Sequence, residues 1–346
     1  MISNKWIRLI SAAMCLLVIG SSGCGDNSGR TADSSLLNLP AQTQLETGSS
    51  ETGEPDQIVI GATLASETSA YLIGLSKYMH EAAVESGATL ILEHASWDAE
   101  LQVIQINQFI KDKVDAIIVV PVNAKLLLAP LKKAQKAGIP VINLNMKVDS
   151  ISSEYIDTYV GASSSEEAAL AADMFIEIMG GKESAGGKIA IIEGAPGSDP
   201  QIYRTQTFIE QLTPYPEIEI VAIRSGGWDR SKSKLVAADI IRKNPDLQGI
   251  YCQDSNMAIG AIEAIEELGL EEQILVVGIG EDEEYLQAIM DGRLYGLVTQ
   301  PPEYEGKYSV YCAIWAAEGE TLRPWYKDPI QVVTLENIEE YENSTK

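Results

Sequence analysis

Residues 224–269 read RSGGWDRSKSKLVAADIIRKNPDLQGIYCQDSNMAIGAIEAIEELG, and the fold is decided there. A strand ends at Arg224, and Gly226-Gly227 turns the chain so that Trp228 and Asp229 stand at the mouth of a helix. Leu235, Ala238, Ile240 and Ile241 then recur at the three-to-four spacing that a helix with one buried side requires. Pro245-Asp246 stops this helix, and Leu247–Cys252 reads as a buried strand topped by Gln253-Asp254-Ser255-Asn256. A second helix, Met257–Leu268, ends at Gly269. Strand and helix alternating in this way build an open parallel sheet, whose ligands meet the loops at the carboxyl ends of the strands. Trp228 and Asp254 stand at two successive strand ends, one offering a flat apolar face and the other a charged acceptor. The pairing suits a polyhydroxylated ring, whose C–H face stacks and whose hydroxyls hydrogen-bond.

The alternation continues in both directions. Upstream, strands are predicted at 58–64, 89–93, 116–120, 141–145 and 158–162, with helices at 69–86, 99–111 and 124–137 between them. A second set has helices at 165–179 and 201–212 and strands at 188–193 and 218–224. Beyond the opening stretch come strands at 274–279, 294–299 and 332–334 and helices at 282–290 and 302–318. The fold class is therefore α/β, with two Rossmann-like lobes, doubly wound parallel sheets and a cleft between them. At 346 residues the chain is long enough for two lobes of ordinary size.

Composition narrows the function. The formal net charge is −25, so a nucleic-acid partner, which needs a basic face, is excluded. Lys5 and Arg8, the apolar run Leu9–Ile19 and the small residues before Cys24 make residues 1–23 read as an export signal. The pattern resembles a bacterial lipoprotein signal with Cys24 as the lipidated residue, although Ser21 stands where such signals usually carry Leu; ordinary secretion is the alternative. Residues 24–56, rich in Ser, Thr, Gly and Gln, read as a flexible tether with a reach of roughly 30 Å. Of the four cysteines, Cys252 and Cys312 remain for the folded part and read as separate buried thiols.

The Trp228-Asp229 turn and the Ala258-Ile259-Gly260-Ala261 helix after a polar strand end resemble the type I periplasmic solute-binding proteins, the ribose-binding subgroup in particular. The resemblance covers residues 57–335 and implies three crossings between lobes, near 161–163, near 300–301 and before the last strand. It implies an N-terminal lobe of 57–162 plus 301–328 and a C-terminal lobe of 163–300 plus 329–346. It implies further a monomer that captures a monosaccharide or related polyol and delivers it to the membrane permease of an ATP-binding-cassette importer, with no cofactor and no metal. Tyr71, after Glu67 at the opening of the first helix, matches a stacking aromatic, and Arg204 an arginine that reaches into the cleft. Gln300 matches a ligand-touching glutamine at the hinge. Sugar binders of this kind carry Asp-Arg where Asn145-Met146 stand and an Asp where Gly280 stands, and Glu281 or Asp282 takes over the latter role. The expected ligand set is therefore Glu67, Tyr71, Asn145, Arg204, Trp228, Asp254, Gln300 and Glu281.

Rival functions leave weaker traces. Gly278-Ile279-Gly280 lacks the third glycine of a dinucleotide loop and is followed by four carboxylates that would repel a pyrophosphate. His80 and His94, the two histidines, show no metal-ligand spacing, and no nucleophile elbow or phosphate loop occurs. A regulator of lac-repressor type shares the core but would need a basic helix-turn-helix, and an exported hydrolase would need a nucleophile. A ligand-binding module for a chemoreceptor or sensor kinase stays open, as does a nucleoside or autoinducer-like furanose as ligand.

Overall fold

The computed structural model describes residues 57–345. The signal, Cys24 and tether readings fall on residues 1–56, outside the described residues. The first lobe is built on a sheet of order β11-β5-β4-β3-β1-β2, with β1 Val59–Leu64, β2 Thr89–His94, β3 Ala116–Val119, β4 Val141–Leu144, β5 Thr158–Gly161 and β11 Trp325–Lys327. The second is built on β12-β10-β9-β8-β6-β7, with β6 Gly187–Glu193, β7 Ile218–Ser225, β8 Leu247–Cys252, β9 Leu275–Ile279, β10 Gly296–Val298 and β12 Val332–Thr334. All pairings are parallel except β10 with β12. The chain passes between the sheets three times, after β5, after β10 and after β11.

Burial explains which strands are central. In β3, Ala116 and Ile118 face one core while Ile117 and Val119 face the other, so every residue of the strand is buried. A strand covered on both faces needs such a continuous apolar run. The edge strands β2 and β7 instead mix exposed and half-buried positions. Helices α1 Ala70–Glu85 and α9 Pro302–Ala317 cover one face of the first sheet, and α2 Ala99–Asp112 and α3 Leu128–Lys136 the other. In the second lobe, α6 Arg230–Lys243, α7 Ser255–Leu268 and α8 Glu283–Met290 cover one face, and α4 Ser164–Ile178 and α5 Asp199–Leu212 the other. A stacked Phe208–Tyr251 pair, ring centroids 4.2 Å apart, fills that second face. Gly260 sits where α6 crosses α7, and a Cβ there would lie 2.2 Å from the Arg230 carbonyl oxygen.

Three details depart from the sequence reading. Leu235 is 73% exposed; the buried stripe of α6 is Ser233, Ala237, Ile240 and Ile241. Ile240 and Ile241 are buried as read, while Ser233 and Ala237 take the places expected for Leu235 and Ala238. Strand β11 and the terminal helix α10 Ile338–Thr345 were not anticipated, the first being a three-residue edge strand with little pattern to read. Cys252 and Cys312, by contrast, stand as the sequence reads them: free, buried and in the cores of different lobes.

Candidate ligand-binding cleft

The loops at the carboxyl ends of both sheets enclose a cavity of about 80 Å³, within a cleft of about 720 Å³ that opens to solvent. Seven of the eight expected ligand residues line it: Tyr71, Asn145, Arg204, Trp228, Asp254, Glu281 and Gln300. Glu67 does not. Its exposed carboxylate accepts from the Ser96 hydroxyl at 2.8 and 2.9 Å, so the β1–α1 loop turns it onto the neighbouring loop and away from the cavity.

The second lobe supplies the chemistry. Trp228 has a left-handed backbone (φ 64°), a rare state for a side chain that large and one found at sites the fold holds deliberately. Its indole lies on the backbone of Gly194, where any Cβ would come within 1.9 Å of the ring. The indole Nε1 is buried without a partner. Asp254 caps α7, accepting from the Met257 N–H at 2.6 Å. Burial nevertheless pushes its carboxyl up to about 6. Ser255, 1% exposed, lines the cavity with a hydroxyl that has no partner. Glu281 Oε2 is likewise buried and unpartnered, and burial raises this carboxyl above its ordinary range although Tyr341 bonds to it. Asp282 caps α8 through the Glu284 N–H at 2.9 Å. Each of the two candidates at this turn thus has one bond within the protein, and Glu281 keeps a buried oxygen without a partner.

Arg204 is 3% exposed and largely committed to protein. Its Nε and Nη2 donate to Glu167 Oε2 at 3.0 and 2.8 Å, Nη1 to the Gln253 carbonyl at 2.5 Å, and Nη2 to Gln300 Oε1 at 3.1 Å. Four of its five N–H groups are thus engaged, leaving one on Nη1 for a ligand. Burial drives the Glu167 carboxyl up to about 7, while the Arg204 guanidinium pulls it down.

From Arg204 the bonding runs on into the hinge. Gln300 donates to Glu305 Oε1 at 3.3 Å, and Asn145 donates to Glu305 Oε2 at 2.8 Å. Glu305 is fully buried on the first turn of α9, with the Tyr71 hydroxyl and the Asp328 carboxyl beside it. Asp328, in the third crossing, is 3% exposed. Burial first, and then the adjacent Glu305, holds its carboxyl well above the carboxylate range. Tyr159 ties the first crossing to the same place, donating to the carbonyls of Asn145 (2.6 Å) and Ala162 (3.1 Å).

The first lobe supplies a neutral wall of Tyr71, Trp97, Asn145 and Met146. Trp97 and Tyr285 are cavity residues that the sequence reading passed over. A signal for Trp97 was present: Trp97-Asp98 after β2 repeats Trp228-Asp229 after β7, and each Asp caps the following helix. Glu305, Glu167 and Asp328 were missed because an acidic residue is by default a surface residue.

Two lobes joined by three crossings, with a polar and aromatic cavity between their strand ends, define a solute-binding protein of the hinged type. The chain belongs to the periplasmic binding protein family, whose domain matches residues 60–321. It is a binding protein of that exported class and not an enzyme. It is 25% identical over 285 residues to the ribose import binding protein RbsB of Bacillus subtilis, covering 82% of this chain and 90% of the relative. To the galactofuranose-binding protein YtfQ of Escherichia coli it is 31% identical, over 65% of this chain and 71% of the relative. Among solved structures, it superposes on an ABC transporter solute-binding protein of Bacillus halodurans with bound myo-inositol. That match has a TM-score of 0.78 and 29% identity, over 84% of this chain and 99% of the other. No helix among the described residues is long and apolar enough to cross a membrane.

Proposed function

We propose that the protein captures a small polyhydroxylated solute, a monosaccharide or related polyol, in the interlobe cleft and delivers it to an ABC importer. One observation carries this reading: aromatic faces from both lobes meet a polar wall built at the strand ends of the second. Rings give the C–H faces of a polyol something to stack on, and carboxylates, amides and the free Arg204 N–H meet its hydroxyls. The related proteins named for ribose, galactofuranose and myo-inositol support the same ligand class. Glu67 is left out of the ligand set, and Trp97 and Tyr285 join it. The lobe limits 57–162 plus 301–328 and 163–300 plus 329–346 belong with this reading, as do a monomeric receptor and a lipid anchor at Cys24.

A thermal-shift screen of the purified protein against sugars, polyols, nucleosides and amino acids tests it. A ligand at a hundredfold excess over its Kd stabilises the folded form by about 2.7 kcal/mol. The expected result is a rise in Tm with one polyol class, roughly halved in Trp228→Ala and nearly lost in Asp254→Ala. A rise only with amino acids or nucleosides would remove the polyol reading. For the anchor, Cys24→Ala is expected to move the protein from the membrane to the soluble fraction of cells; an unchanged distribution would argue for ordinary secretion.

A further inference from the structure

The two walls of the cleft differ in charge, and the charge is unbalanced. The first lobe contributes no ionisable carboxyl or cation to the cavity lining. The second contributes Asp254, Glu281 and Asp282, against the single guanidinium of Arg204. That guanidinium is already answered by Glu167, which sits behind it and is fully buried. Among the described residues no Lys or Arg forms an ion pair with Asp254 or Glu281. The loops bearing these two carboxylates touch each other, since a Cβ on Gly280 would lie 2.9 Å from the Ser255 hydroxyl. Ser255 Oγ at that contact is buried and unpartnered, and so is Oε2 of Glu281, the residue after Gly280, whose carboxyl also bonds to Tyr341. Asp254 and Glu281 are both half-buried, and carboxylates partly withdrawn from water without a cation carry a cost that a ligand bearing positive charge would remove.

The remaining lining fits the same ligand. Trp228 and Tyr285 line the cavity from the same lobe as the carboxylates, and Tyr71 and Trp97 line it from the other. Aromatic rings around an acidic group attract an ammonium through the negative face of the ring as well as through the carboxylate.

We propose that the solute is a polyol carrying a protonated amine, an amino sugar or aminocyclitol, with the ammonium held between Asp254 and Glu281 and the ring between the indoles. The proposal rests on the reading of this cleft as a polyol site. Its test must therefore tell failure of the amine from failure of the polyol. Matched probes do this: glucose, glucosamine and N-acetylglucosamine; myo-inositol and its monoamino-deoxy analogue; ribose and its 2-amino-2-deoxy counterpart. Each is titrated calorimetrically against the wild-type protein and against Glu281→Gln. In the set that binds, the free amine is expected to bind at least tenfold tighter than the neutral and acetylated members. Glu281→Gln is expected to erase that preference, weakening the free amine at least tenfold more than it weakens the neutral and acetylated members. A circular-dichroism melt of the variant establishes that it is folded, and Glu281→Asp is expected to restore part of the preference.

Neutral members binding as tightly as the amine would overturn the amine assignment and leave a neutral-polyol receptor. An amine preference that survives Glu281→Gln would overturn the assignment of the ammonium to this carboxylate pair. Binding by no member of any set would overturn both readings.

Discussion

The turn Trp97-Asp98 after β2 and the turn Trp228-Asp229 after β7 occupy equivalent places in the two lobes. Each follows the edge strand next to the first strand of its sheet, and each Trp has a left-handed backbone, φ 59° and 64°. Each Asp caps the next helix: Asp98 accepts from two N–H groups of α2 and Asp229 from one of α6. The chain thus uses the same local device twice to lift an indole over the cleft. What surrounds the two indoles differs. Trp97 stands on a neutral wall, Trp228 beside carboxylates and on the bare backbone of Gly194. In the proposed function the second lobe is the platform that recognises the solute, and the first is the cover.

The comparison can be broken at several points. Asp254→Ala removes a wall carboxylate and the cap of α7 together, and should have the largest effect. The cap costs about 1 kcal/mol of stability. Loss of a charged acceptor should weaken binding by about 2–3 kcal/mol, close to a hundredfold. Calorimetry and a denaturant melt separate the two, and an unchanged Kd would mean that the platform lies elsewhere.

The hinge belongs to neither wall and should respond to pH. Burial raises the carboxyls of Glu305 and Asp328, so the folded protein holds protons there that the unfolded chain releases above about pH 4. Their contribution is fully present below that pH and is lost as pH rises through the folded values. Stability should therefore fall as pH rises from about 4 toward the raised folded values. Glu305→Gln should flatten the fall by about 1.4 kcal/mol for each unit by which the folded value exceeds the unfolded one. A variant whose Tm tracks the wild type at every pH would show that Glu305 takes up no proton on folding.

Next in size is the contrast between the indoles. Trp228→Ala should cost about 1.4 kcal/mol in binding, roughly tenfold, and Trp97→Ala about threefold. Gly194→Ala should mimic Trp228→Ala, because the new methyl occupies the place of the ring. Equal losses at both tryptophans would mean that the lobes contribute symmetrically. The smallest effect belongs to Glu67→Gln. With its carboxylate on Ser96 and outside the cavity, Kd should stay within about twofold.

The parallel sheets were legible because their central strands are buried on both sides, and an uninterrupted run such as Ala116–Val119 has few other readings. Platform residues were legible for a related reason, since topology fixes where a strand ends and Trp228, Asp254, Glu281 and Gln300 each follow one. Edge strand β11 was not legible: three residues hold too little pattern, and its place depends on pairing with β5, far away in sequence. The buried acids were hidden differently. Glu166 and Glu167 are neighbours in the chain, yet Glu166 reaches out to Lys327 while Glu167 is fully buried against Arg204. Glu167, Ala171 and Phe175 recur at four-residue spacing on the buried stripe of α4, so phase carried the information and residue type obscured it.

Asn145 lines the cavity while its amide donates to Glu305 at the foot of α9. One short side chain is thereby a wall of the binding site and a pin in the hinge. Recognition and closure then share a lever. A substitution at 145 would register in stopped-flow traces as an altered closing or opening rate even where an equilibrium titration showed little change. The residence time of the solute, and with it the pace at which cargo is handed on, would then respond to this pinned amide as well as to the groups that grip the ligand.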